Sequence, residues 1–317
     1  NEFKEYLSLN KNKMTTKPPK PIMPDFDIIQ VSTKTVIAKT NAVYAIQKLF
    51  ERLPIVPYTV IKKKRGRKKN KPVADPNEHL ESGSIITLKF FEGLRGVNLK
   101  PKKKRGKYFR NALSIVMKVK DKLVNFKLSK NGKFQMTGIK TDEHAVLCVK
   151  HLWEHILNLG DHTLFTLEKE TLQVILNVVM TNVDFSLGFL VNRGNLDEFF
   201  NNSTEYNSLL ETSFGYTGVN IKFPVIYEPY DMMVYELDVN KGTWVTSSMC
   251  HTAFLETLSD AERKKTVDKK RYNTFLIFHS GNVIMSGATK ERMERPYYEF
   301  LEFVKKCKPY VEEKLTE

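Results

Sequence analysis

Residues 275–288 read FLIFHSGNVIMSGA. An apolar run ends at Phe278, Ser280-Gly281 makes a turn, a second apolar run follows from Val283, and small residues close the stretch. That is the signature of two antiparallel strands joined by a tight turn. Residues 125–140, NFKLSKNGKFQMTGIK, show the same arrangement. The turn glycines Gly132 and Gly281 are 149 positions apart, as are Thr137 and Ser286. A second matched pair, GVNLK from Gly96 and GVNIK from Gly218, is 122 apart, and the strands starting near Val31 and Val179 are 148 apart. These offsets agree if the first half has an insert before GVNLK and the second half one after GVNIK. The basic stretch of about 62–84 and the segment of about 240–268 fill those two roles. Matched blocks in the same order indicate a duplicated domain, and the long period excludes a solenoid.

Each half is expected to repeat one series of elements. A β-branched strand comes first, over residues 28–40 and 172–183. A helix follows, with Asn41 or Asn195 at its N-cap. Antiparallel strands come next, and a longer helix closes the half. The first closing helix begins at Thr141, with Asp142 and Glu143 in its first turn and Gly160 at its end. Val146, Val149, Leu152, Trp153, Ile156 and Leu157 form its apolar face. The second presents Tyr297, Phe300, Leu301 and Val304. The strand around Phe275–Phe278 is apolar on both sides: Phe275 and Ile277 share one face, Leu276 and Phe278 the other. Two helices per half are too few to cover both faces of such a sheet. One face is therefore expected to be open, and open apolar faces meet partners.

Charge narrows the partner. The 317 residues include 51 Lys and Arg against 36 Asp and Glu, a formal net charge of +15. Such an excess favours a polyanion, nucleic acid before an acidic membrane surface. Part of it sits in two runs, Lys62–Lys71 and Lys102–Lys107, the first of which reads as a nuclear-localisation or phosphate-binding patch or as a solvated loop. Three widely spaced cysteines suggest reduced intracellular thiols. No apolar run is long enough to span a membrane. The motifs of nucleotide-binding loops, zinc proteases and serine hydrolases are absent, so no enzyme activity and no cofactor are expected. His144, Cys148, His151 and His155 share helical spacing, but a packing role for that helix outweighs a metal site.

Taken together, these blocks resemble the TATA-box-binding protein family. SGNVIMSGA is similar to its strand–turn–strand signature, with a Phe three residues before the turn Gly. VILNVVMTNVDFSLG (174–188) resembles the opening of its second repeat, and YYEFLEFV (297–304) its last helix. NGKFQMTG resembles the divergent versions carried by large DNA viruses. The resemblance covers about residues 27–310 apart from the inserts. It implies an α+β fold, a duplicated saddle of curved antiparallel sheet with helices on the convex side. The implied organisation is a flexible tail over 1–26, a first repeat over 27–160 and a second over 161–317. The concave face would lie in the minor groove of double-stranded DNA, whose hydrogen-bonding pattern is nearly two-fold symmetric.

Carried over residue by residue, the resemblance makes Phe278 a wedge between base steps and Asn177 a donor to base edges. Val179, Leu276 and Ile284 would line the same face, and Ser286 stands where the family has Thr. In the first half Lys133, Gln135 and Thr137 would face DNA, and Tyr216 would be a further wedge of the second half. The departures are Ser129 at the first-half wedge position, with Phe126 or Leu128 as substitutes, Gln135 for an aliphatic residue, Ile29 for an Asn and Asn282 for a Lys. The implied function is a transcription initiation factor that bends promoter DNA as a monomer and recruits a transcription-factor-B-like protein and DNA-dependent RNA polymerase. It would act in a nucleus or a cytoplasmic viral factory, or be packaged in the virion. The alternative is an architectural or packaging protein that uses the same saddle with little sequence preference.

Overall fold

The computed structural model describes residues 20–60, 75–99, 108–211, 217–225 and 230–313. Its strands are β1 (Val31–Thr40), β2 (Ala42–Tyr44), β3 (Ile85–Phe90), β4 (Gly93–Gly96), β5 (Ala112–Val119), β6 (Lys122–Ser129), β7 (Lys133–Ile139), β8 (Phe165–Leu167), β9 (Thr171–Ser186), β10 (Asn207–Glu211), β11 (Gly218–Pro224), β12 (Asp231–Asp238), β13 (Thr243–Cys250), β14 (Tyr272–Phe278) and β15 (Asn282–Gly287). Its helices are α1 (Ile46–Arg52), α2 (Asp142–Asn158), α3 (Arg193–Ser203), α4 (His251–Glu256), α5 (Asp260–Val267) and α6 (Glu294–Val311).

The quoted hairpins are β6–β7 and β14–β15. Both turns need glycine. Gly132 and Gly281 have φ of +74° and +76°, and a Cβ on either would strike backbone carbonyls, Thr40 and Ala42 for the first, Phe189 for the second. β1 and β9 pair antiparallel at the centre of one large sheet. Outward from β1 the order is β7, β6, β5, β3, β4, and outward from β9 it is β15, β14, β11, β10. On both sides the hairpin lies next to the central strand. In this order β11 matches β5, so the GVNIK strand has its positional counterpart in ALSIVMKV and not in GVNLK, whose Gly96 ends edge strand β4.

Period-2 alternation puts one apolar set per strand under the helices. Val36, Ala38, Leu113, Ile115, Phe126, Leu128, Phe134 and Met136 pack with Leu152 and Trp153 of α2 in one core. Val183, Phe185, Val219, Ile221, Phe275, Ile277, Val283 and Met285 pack with Phe200 of α3 and with Tyr297 and Phe300 of α6 in the other. β9 serves both cores, and a register shift opposite Thr35 and Val36 divides its two stretches. Thr141 caps α2 by accepting from the His144 N–H, as the sequence suggests. Leu157 is exposed, outside the α2 apolar face.

Other expectations require correction. Residues 20–26 do not belong to a tail: Ser186 N–H donates to Pro21 O, Met23 N–H donates to Ser186 O, and Phe26 is buried against Tyr297. Residues 1–19 lie outside the described residues. The second-half insert runs from β12 to α5, starting earlier than 240, and its hairpin extends the sheet along Thr171–Leu176 of β9. Most of the first basic insert lies outside the described residues. Asn41 is not a helix cap; its side chain bridges to the start of β9 through Thr171 O and Gln173 N–H. Asn192, three residues before Asn195, caps α3.

Candidate nucleic-acid interface

The face opposite the helices is built from the other parity of each strand. Antiparallel pairing aligns its side chains in rows across the sheet. One row runs Asp184, Ile284, Leu276, Asn220, Leu209. Beside it lie Thr33, Asn182, Ser286, Thr274 and Lys222. Phe278 stands opposite Gly218, and Leu276 leans over that glycine, 2.7 Å from where a Cβ would be. This end of the face is apolar with polar groups between, charged at Asp184 and at Lys222. Phe278, Leu276 and Ile284 are half-buried, whereas their neighbours Ile277, Phe275 and Val283 are fully buried under the helices. Leu209 is 58% exposed at the rim. None of these open-face side chains belongs to a buried cluster of the described residues.

The other end is polar and basic. A row runs Asn177, Ile37, Gln135, Lys127, Ser114, Lys89. Lys133, Gln135 and Thr137 alternate outward on β7 with Phe134 and Met136 inward. Phe126 and Leu128 are buried in the core, so neither substitutes for Ser129 as a wedge. Ile29 is buried with Phe26 and offers nothing to the open face. Val179 sits at the register shift of β9, where Met180 stands opposite Thr35 and Val178 opposite Val36. Both Val179 and Met180 are exposed, because β12 stops pairing with β9 at Leu176 and β15 at Thr181. Tyr216 lies outside the described residues.

Asn177 has a partner that sequence reading missed. Tyr230, at the start of the insert, donates its hydroxyl to Asn177 Oδ1 at 3.1 Å. The Asn177 amide nitrogen is thereby left as the group with hydrogens to offer an acceptor. Tyr230 in turn stacks on His251, ring centroids 4.7 Å apart, with the Arg292 guanidinium 5.4 Å from its centroid.

A cluster at the basic end was also missed. Phe109 is 56% exposed, with Lys127 Nζ 4.0 Å from its ring centroid. Lys89 lies over Tyr108 and Arg110 over Phe91. Aromatic rings interleaved with cations suit bases and phosphates together. The sequence signal was the YFR of 108–110 directly after a lysine run. The α2 histidines do not assemble a site: His151 contacts Ser82 and Glu154, His155 contacts Gly83 O, and Cys148 is buried with its thiol pushed up to about 12 by burial. Among the described residues no helix is long and apolar enough to cross a membrane.

No family model matches the chain. Uncharacterized protein 335L of Invertebrate iridescent virus 6 is 26% identical over 227 residues, 68% of this chain and 66% of that protein. The chain thus spans just under two thirds of that relative's length. Among solved structures, Methanococcus jannaschii TBP aligns over 89% of this chain and 99% of its own, with 13% identity and a TM-score of 0.42.

Proposed function

We propose that this protein binds double-stranded DNA in the minor groove through the open face of a duplicated saddle, as a TATA-box-binding-protein-like transcription initiation factor. The observation that carries the reading is the row Leu276, Ile284 and Leu209 with Phe278 beside it: apolar side chains on the sheet face that the core helices leave open. Such side chains unstack base steps when the duplex bends over them. Lys222 and the lysines of the first half supply phosphate contacts around that apolar patch. The first four strands outward from β1 and from β9 correspond in order, with edge strand β4 extra in the first half, and this supports duplication. Recruitment of a transcription-factor-B-like protein and of RNA polymerase rests on the family resemblance. Competition binding between A·T-rich and G·C-rich duplexes of equal length tests the proposal. Clear preference for A·T supports an initiation factor; equal affinity, with bending, supports the architectural reading; failure to bind either at low salt refutes both.

A further inference from the structure

The open face is not open throughout. The row Val234, Ile175, Lys39, Lys133 crosses the centre of the sheet on that face. Ile175 is buried there, although its neighbours Val174 and Leu176 belong to the helix-side core. It is covered by Phe254 of α4, with Met232 and Val234. Thr257, just after α4, accepts from Lys39 Nζ at 3.4 Å. Glu262 of α5 completes a capping box with Ser259. Its carboxyl is held below the ordinary range by the Ser259 hydroxyl, and further by Lys39 and Lys133. So an acidic group of the insert stands near the two lysines that would meet phosphate.

We propose that the α4–α5 pair is an intramolecular cover for this part of the open face, and that it competes with duplex DNA for Lys39 and Lys133. The inference rests on the minor-groove reading above. A helix is about 10 Å thick, so DNA cannot reach the sheet beneath a seated pair. The seat is small. α5 buries no residue, the bond to Lys39 is at the surface, and α4 buries only His251 and Phe254, the latter in a cluster of four buried residues edged by Tyr230, Met249 and Leu258. A cover held this way lowers apparent DNA affinity by the fraction of molecules in which it is unseated. The insert would thus set when the first half grips DNA, while the apolar second half stays available.

The test has two arms on the full chain. The first measures acylation of Lys39 and Lys133 by an amine-reactive reagent, without DNA, with Lys305 as the reference. Two variants are compared with the wild type: Phe254→Ala, and replacement of residues 260–267 by a Gly-Ser segment of equal length, which removes no buried side chain. Both should label several-fold faster at Lys39, whose ammonium is bonded to the pair, and less so at Lys133, which is already exposed. The second arm measures binding of a short A·T-rich duplex, which should tighten about tenfold in both variants. Unchanged labelling in the Gly-Ser variant overturns the cover, and weaker binding by that variant makes the pair part of the DNA grip and overturns competition. Faster labelling with no duplex bound by any form refutes the DNA reading and leaves the cover standing.

Discussion

Phe278 and Ile277 are adjacent on β14 and should fail in opposite ways when truncated. Ile277 is fully buried, opposite Val219 on one side and Val283 on the other, both also fully buried. Ile277→Ala leaves a cavity that close-packed neighbours cannot fill, which costs about 2–5 kcal/mol of stability. Phe278 is half-buried on the opposite face, across from a glycine. Full burial of a Phe is worth about 1.5–3 kcal/mol, so half-burial is worth about 1 kcal/mol, and truncation opens no cavity. Urea unfolding should therefore separate the two by at least about 1 kcal/mol, without a change in slope. On an end-labelled A·T-rich duplex the order should reverse. Phe278→Ala should lose bending and about tenfold or more in affinity, since unstacking a base step costs a few kcal/mol that the ring offsets. Ile277→Ala, measured at a temperature where it is folded, should bend DNA normally. If Phe278→Ala is the less stable of the two, or bends DNA as the wild type does, the assignment of the DNA face is wrong.

Asn177→Ala should weaken an A·T-rich site by about 1–3 kcal/mol and a non-specific duplex far less, with Tyr230→Phe showing a smaller loss of the same kind; equal losses on both duplexes would make Asn177 a purely structural amide. Lys127→Ala should lower the slope of log K against log salt by about one without changing sequence preference, and an unchanged slope would place Lys127 away from phosphate. Burial, and then Arg271, push His251 below its ordinary value. The unfolded chain therefore binds the proton more readily, and the stability that His251 contributes is whole at neutral pH and declines as pH falls below about 6.5. Melting temperature should drop more between pH 7 and pH 5 in the wild type than in His251→Gln, and parallel curves would remove His251 from the account.

The hairpins, the closing helices and the parity of Phe278 were legible because local signals agree there. Alternation, a turn glycine forced to positive φ and a capped amphipathic helix all specify one local answer. The match of GVNLK to GVNIK misled because four identities in five residues say nothing about strand pairing. Gly96 ends an edge strand, while Gly218 begins a strand whose counterpart, β5, shares no such identity. Phe126 and Leu128 were offered as wedges although their pairing with Met136 and Phe134 turns both into the core. The path of the insert was hidden for a different reason. Phe254 reaches Ile175 across some eighty positions of sequence, and the local pattern of α4 does not name its target. The bond from Tyr230 to Asn177 is of the same long-range kind.

Inosine substitution tests minor-groove recognition by the open face. An inosine·cytosine pair lacks the guanine 2-amino group, so its minor groove presents the acceptor pattern of A·T while its major groove presents that of G·C. The measurement is end-to-end energy transfer on three duplexes of one length, built of A·T, of I·C and of G·C at the same site, titrated with the wild-type protein at fixed salt. A·T and I·C duplexes should bind and bend alike, and G·C should bind more weakly. Binding of I·C that follows G·C instead of A·T would contradict minor-groove recognition, because the protein would then be reading the major groove.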